Sequence, residues 1–164
     1  DFRAAERTFQ LVTQVAGRTG RGEKGGRVLV QTFSPDHPAI RAAERHDYEA
    51  FARQELPHRA QFGYPPFGAM IRVIIRGDDA LQCEQAADQL ANFLRAQLVD
   101  QDAIRVLGAA PAPMARLRRK YRFHLILQGP DLEQLRASIR EARRVLRLPD
   151  KVQWMADVDP WEML

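Results

Sequence analysis

What the sequence lacks already narrows what it can be. It holds a single cysteine, Cys83, among 164 residues, which excludes an intrachain disulfide and a tetrahedral zinc site built on cysteine pairs. That scarcity points to an intracellular setting. The flanking Leu81, Ala86 and Ala87 give the thiol the surroundings of a buried helical residue rather than a reactive one. No apolar run approaches the roughly 20 residues that a membrane helix needs. There is no G-x-x-x-x-G-K-[ST] loop, and without one the chain cannot cradle nucleotide phosphates by itself. Internal repeats and low-complexity tracts are missing too. The first residues, DFRAAERTFQLVTQ, carry neither an initiator methionine nor a signal-peptide pattern; they read as the inside of a structural element, a cut piece of something larger.

What remains is the composition of a globular protein, 45% hydrophobic and 28% charged, long enough for one domain or one domain plus part of a neighbour. The formal net charge is only +4, but residues 116–147 hold ten Lys or Arg against three Asp or Glu. A local excess of that kind points to an anionic partner, nucleic acid first.

Along the chain, Leu11 and Val15, with Phe9 and Val12 beside them, form an apolar stripe at helical spacing that stops where Gly17, Gly20 and Gly22 arrive. RVLVQTF, residues 27–33, reads as a buried strand. SPDHPAI opens a helical stretch that continues through Tyr48 and Phe51, until Pro57 removes a backbone donor and predicts an end or kink near Leu56. FGYPPFG is a stiff connector, with a boundary near Pro66.

Beyond it the pattern is that of a complete small domain. Ile71, Val73 and Ile75 alternate with Arg72, Ile74 and Arg76, the period of a strand with one covered face. Asp79 precedes a helix whose inner face is Cys83, Ala87, Leu90 and Leu94. A short strand, IRVLGA, ends at the loop APAPMARLRRK. Tyr121, Phe123, Leu125 and Leu127 mark the inner face of the next strand. Asp131 caps a second helix, with Leu132, Leu135, Ile139, Ala142 and Leu146 inward. Val152, Trp154, Ala156 and Val158 alternate along a last strand. The order β-α-β-β-α-β predicts an α+β, ferredoxin-like domain: a four-stranded sheet with two helices on one face and Arg72, Arg76, Arg122, His124 and Gln153 on the other.

Two basic motifs carry chemistry. In QVAGRTGRG, residues 14–22, Gln14, Gly17, Arg18 and Arg21 form a Gln-x-x-Gly-Arg-x-x-Arg pattern. An arginine fork on a glycine-flanked turn can stabilise charge developing on a transferring phosphoryl group, worth roughly 10³ to 10⁵ in rate; a solvated basic turn is the alternative. In ARLRRKYR, Arg116, Arg118, Arg119, Lys120 and Arg122 place five cations in seven positions, enough for salt-sensitive, sequence-independent contact with several phosphates, unless the run is merely solvated. Arg136, Arg140, Arg143, Arg144 and Arg147 are either a solvated helix face or a surface for an acidic partner. Asp157 and Asp159 read as a strand-terminating turn, and His124 has no second histidine near it. Tyr121 and Phe123 share the inner face with Leu125 and Leu127, which argues against a base-stacking role.

QVAGRTGRG resembles the last motif of superfamily 2 helicases. With its flanks DFRAAERTFQLVTQ, GGRVLVQTFSPDHPAI and DYEAFARQEL, and with GYPPFG, VLGAAPAP, YRFHLILQ and the terminal DVDP, the chain resembles, over essentially its whole length, the C-terminal part of the PriA family of primosomal replication-restart helicases (primosomal protein N-prime). The resemblance implies three parts: the end of the second RecA-like lobe at 1–34, a helical linker at 35–66 and a DNA-binding C-terminal domain at 67–164. It implies an ATP-dependent 3′→5′ DNA helicase that binds stalled or branched forks and prepares them for reloading of the replicative helicase. Arg18 and Arg21 would face the ATP γ-phosphate, one of them as the arginine finger, with Gln14 coupling nucleotide to lobe closure. ATP and magnesium, and a zinc site outside this chain, belong to the parent protein; none is expected on the fragment alone. The implied partners are branched or single-stranded DNA, the acidic tail of single-stranded-DNA-binding protein, primosome proteins and replicative-helicase loading factors, in a bacterial cytoplasm near the nucleoid and away from membranes. The rival reading is a non-enzymatic, ferredoxin-like nucleic-acid-binding module, ribosome-associated, with the arginine turn a basic arm.

Overall fold

The computed structural model describes residues 1–19 and 27–163. The chain divides into two compact units, Asp1–Gln61 and Phe62–Leu164.

In the first unit, α1 (Ala4–Ala16), α2 (Pro38–Glu44) and α3 (Tyr48–Phe62) surround a small core of Phe9, Ala39, Ala42, Ala43 and Phe51. The Phe9 and Phe51 rings stack with centroids 4.9 Å apart. The buried stripe of α1 is therefore Ala5, Phe9 and Val12, not Leu11 and Val15, which are exposed. Pro38 opens α2, where a lost N–H costs nothing, and His37 Nδ1 accepts from Ala39 N at 3.2 Å. The helical run expected from Pro38 onward breaks at His46, whose φ is +54°. Its N–H reaches the Ala43 carbonyl and the Asp47 N–H that of Ala42, a complete Schellman stop with histidine in the place usually held by glycine. Asp47 then caps α3 through Ala50 N at 2.8 Å.

Pro57 does not end α3, which continues to Phe62. The carbonyl that Pro57 leaves without its helical donor belongs to Arg53, and both residues are exposed, so water can satisfy it. On the opposite side Arg59 is buried and paired with Glu55 at 2.9 Å and Glu6 at 3.0 Å. Burial pushes its guanidinium toward the neutral form, but the two carboxylates outweigh this and its pKa is raised.

Residues 27–33 hold no regular secondary structure, contrary to the expected strand. Val28, Val30 and Thr32 line a cavity with α1 and α2, while Leu29 and Phe33 are fully exposed. The alternation of a strand is present, but a strand needs a neighbour to hydrogen-bond with, and the described residues of this unit contain none.

The second unit runs β1 (Ala69–Gly77), α4 (Ala80–Gln97), β2 (Arg105–Leu117), β3 (Lys120–Gly129), α5 (Leu132–Val145) and β4 (Gln153–Val158). Its sheet has the order β2-β3-β1-β4 with every neighbouring pair antiparallel, the ferredoxin-like arrangement. Ile71, Val73 and Ile75 of β1 and Leu125 and Leu127 of β3 meet Cys83, Ala87, Leu90 and Leu94 of α4 and Leu135, Ile139 and Ala142 of α5. Each fully buried large side chain here contributes on the order of 2 kcal/mol. Tyr121, Phe123 and Trp154 pack at the margin of this core. Asp79 accepts from Gln82 N and Asp131 from Glu133 N, so both helices start on aspartate caps. Burial raises the Cys83 thiol pKa, with Asp79 and Asp78 adding to the effect.

The connector is fixed by Gln128, buried on β3, whose amide donates to the Phe62 and Gly63 carbonyls. A Cβ on Gly68 would lie 2.4 Å from the Gly63 carbonyl oxygen, which explains the glycine there.

Candidate nucleic-acid interface

APAPMARLRRK is not a loop. The strand expected to stop at Ala109 continues through the proline-rich stretch to Leu117, with bulges between Gly108 and Ala110 and between Pro111 and Arg116. Prolines are tolerated because β2 is an edge strand. Gly108, at φ +93°, turns at the first bulge where a Cβ would lie 2.9 Å from the His124 carbonyl oxygen. Pairing resumes at Arg116 with Tyr121 and Leu117 with Lys120, leaving Arg118 and Arg119 as a two-residue turn. Their φ angles are +50° and +65°, the left-handed pair that a type I′ hairpin demands and that Asn-Gly ordinarily supplies. Two arginines held there are strained by roughly 1–2 kcal/mol each.

The five sequence-predicted cations are thus gathered on one hairpin, but they do different things. Arg118 and Arg119 project at the tip, both exposed. Arg116 lies over the Tyr121 ring, 5.1 Å from its centroid. Lys120 reaches Asp78 at 2.7 Å. Arg122 donates to the Met114 carbonyl at 3.4 Å and points onto the open sheet face.

That face carries Arg72, Ile74 and Arg76 from β1, Arg122, His124 and Ile126 from β3, and Gln153, Met155 and Asp157 from β4, by the register of the strands. Arg76 and Arg122 are directly opposite one another. Like charges facing across a strand pair repel. Arg76 is held by Gln153 Oε1 at 3.2 Å. Toward the hairpin, Ile74, Arg76, Leu117, Arg118, Lys120, Arg122, Gln153 and Met155 line a groove of about 430 Å³. Among the described residues no acidic side chain lines it.

Arg72, expected on the open face, is covered. The chain beyond β4 turns at Asp159, φ +46°, whose backbone and side chain both bond Met70, and Arg72 Nη1 donates to the Glu162 carbonyl at 3.0 Å. Arg72 is 1% exposed; burial, then Arg122, lower its pKa, against Asp157. The imidazole of His124 is likewise held below its usual pKa by burial, then by Arg72 and Arg122. In both cases burial is the larger cause and the neighbouring arginines add to it. Asp159 makes the strand-terminating turn, while Asp157 lies within β4 opposite Arg72.

Sequence alternation placed Arg76 and Arg122 on the same open face, and the strand register brings them opposite one another. It did not identify the groove, because Leu117 and Met155 join it only through the β2–β3 hairpin and the β1–β4 register.

Among the arginines of α5, Arg136 and Arg140 share Glu133, and Arg144 forms a two-point pair with Glu141. Arg143 lies over the Trp154 ring. In the first unit, Gln14, Gly17 and Arg18 sit exposed at the C-terminal end of α1; Arg21 lies outside the described residues. Among the described residues no group of three or more His, Cys, Asp or Glu could hold a metal ion, and no helix is long and apolar enough to cross a membrane.

Fold and surface together define a ferredoxin-like α+β domain whose open sheet face and adjoining hairpin concentrate cationic side chains. Residues 60–161 match the model of the primosomal protein N C-terminal domain, and the chain belongs to that family. It is 38% identical over 160 residues to the replication restart protein PriA of Synechocystis sp., covering 98% of this chain and 19% of that protein. With the PriA of Bacillus subtilis it shares 37% over 141 residues, 86% and 17% of the two chains, and with that of Haemophilus influenzae 37% over 166 residues, 99% and 22%. The chain thus spans about a fifth of the length of these relatives.

Proposed function

We propose that this chain is the C-terminal part of an ATP-dependent 3′→5′ DNA helicase that binds stalled or branched replication forks and initiates restart, with residues 67–164 as its DNA-binding domain, 35–66 as linker and 1–34 as the end of a RecA-like motor lobe. The observation that carries the DNA-binding reading is the hairpin tip. A chain that places two arginines where Asn-Gly would relieve strain gains exposed cations at a backbone cost, and such strain collects where function holds it. Arg116, Arg118, Arg119, Lys120 and Arg122 contact phosphates in this reading, which makes binding salt-dependent and largely indifferent to sequence.

The family membership and the exposed Leu29 and Phe33, which elements packed on the face of a motor sheet would cover, support the assignment of the N-terminal part. Arg18 and Arg21 there serve the nucleotide site, one of them as the arginine finger, with Gln14 coupling nucleotide to lobe closure. ATP with magnesium, held in another part of the parent, would supply the phosphoryl chemistry, and the charge of these arginines would stabilise the triphosphate. Zinc belongs to the parent outside this chain. Single-stranded-DNA-binding protein, primosome components and helicase-loading factors are the partners, in the bacterial cytoplasm at the nucleoid.

The test is a salt titration of binding to forked DNA. Replacing Arg118, Arg119 and Lys120 with Ala should flatten the dependence of log K on log salt by roughly 0.9 for each phosphate no longer neutralised, and replacing them with Lys or Arg should preserve it. An unchanged slope in the Ala variant rejects the assignment of these cations to phosphates.

A further inference from the structure

The groove behind the hairpin has more in it than charge. Its rim is cationic, with Arg76, Arg118, Lys120 and Arg122, but Ile74, Leu117 and Met155 also line it, and Leu117 and Met155 are 43% and 46% exposed. A surface that only tracked a phosphate backbone would have no use for exposed apolar side chains between its cations. Duplex DNA presents phosphates and groove edges, with its base faces stacked out of reach. An unpaired nucleotide presents both an anionic phosphate and a flat apolar base face.

We infer that this groove seats an unpaired deoxynucleotide, its phosphate between Arg76 and Arg122, with Lys120, paired to Asp78, at the rim, and its base face against Ile74, Leu117 and Met155. The inference deepens the proposed phosphate-binding role of the hairpin and rests on it. Two observations favour this occupant. The opposed Arg76 and Arg122 repel each other across β1 and β3, and an anion between them relieves that repulsion. A cleft of about 430 Å³ is of the size that takes a small ligand group such as a nucleotide. Among the described residues no aromatic ring lines the groove, so the base is held by aliphatic side chains and by the guanidinium planes of the rim arginines, which stack on bases as rings do.

The experiment compares two probes of equal charge, a short oligothymidylate and an abasic phosphodiester of the same length, by fluorescence anisotropy on the whole chain at fixed salt. The unmodified chain should bind the oligothymidylate about fivefold or more tightly. Met155→Ala combined with Leu117→Ala should bring the two affinities together while leaving the salt slope and the affinity for blunt duplex unchanged. A second variant, Leu117→Met, keeps an apolar lining and should retain the preference, which separates removal of the apolar surface from damage to the fold. Equal affinity of the unmodified chain for both probes overturns the base-binding inference and leaves the phosphate-binding role standing. Failure to bind either probe overturns both. An acidic peptide with apolar side chains that binds the chain and loses affinity in the double variant, while the two oligomers bind equally, assigns the groove to a protein partner and also overturns it.

Discussion

Replacing Arg118 and Arg119 with Asn and Gly separates what the hairpin tip does for the fold from what it does for binding. Both arginines hold positive φ, +50° and +65°, at roughly 1–2 kcal/mol apiece. Asn is at ease in that region, and Gly removes the strain at position 119 while adding unfolded-state freedom worth about 0.5–1 kcal/mol. The net gain is about 1 kcal/mol, or about 4 °C in Tm for a unit of this size. The flanking pair Leu117 and Lys120 keeps the register, since a two-residue type I′ turn is what Asn-Gly prefers. Binding should move the other way: with two tip cations gone, the salt slope for forked DNA falls by roughly one to two. Thermal unfolding followed by circular dichroism reads the first effect and anisotropy across a salt series the second. A variant less stable than its parent would refute the strain argument, and a more stable one with unaltered DNA binding would refute the assignment of the tip to phosphates.

Three other outcomes test other parts of the molecule. Gln128→Ala strips the Phe62 and Gly63 carbonyls of their side-chain donor and should cost about 1–3 kcal/mol in denaturant unfolding, with the connector exchanging amide hydrogens faster. Because the folded-state pKa of His124 is depressed below 6.5, its contribution is complete above that unfolded value and is lost as pH falls below it; denaturation midpoints from about pH 7.5 to about pH 5 should drop more steeply in the parent than in His124→Gln. Arg18→Ala and Arg21→Ala, each made in the intact parent protein, should abolish most DNA-stimulated ATP hydrolysis while leaving DNA affinity nearly intact, and retained turnover in both would remove these arginines from the nucleotide site.

Local pattern was most reliable where the element was both periodic and locally capped. The inner faces of α4 and α5, with Asp79 and Asp131 at their starts, and the alternation of β1 and β3 lie where the sequence places them. It was least reliable where a distant partner decides. Arg72 alternates to the open face as expected, yet the returning segment from Asp159 to Glu162 buries it. Residues 27–33 alternate as a strand would and find no strand beside them among the described residues. In α1 both Leu11 and Phe9 fit a helical stripe, and only the packing of Phe51 and the α2 alanines selects Phe9.

The sequence by itself determined the β-α-β-β-α-β order and the run of cations in ARLRRKYR, because side-chain period and charge are local properties that neighbours along the chain already express. Only the tertiary structure decided that this run is a strained two-residue turn at the end of a long edge strand, that Arg76 faces Arg122, and that Leu117 and Met155 meet in one groove. Those facts depend on strand register, and register is set by which residues pair across the sheet, a relation between segments tens of residues apart that no single segment contains.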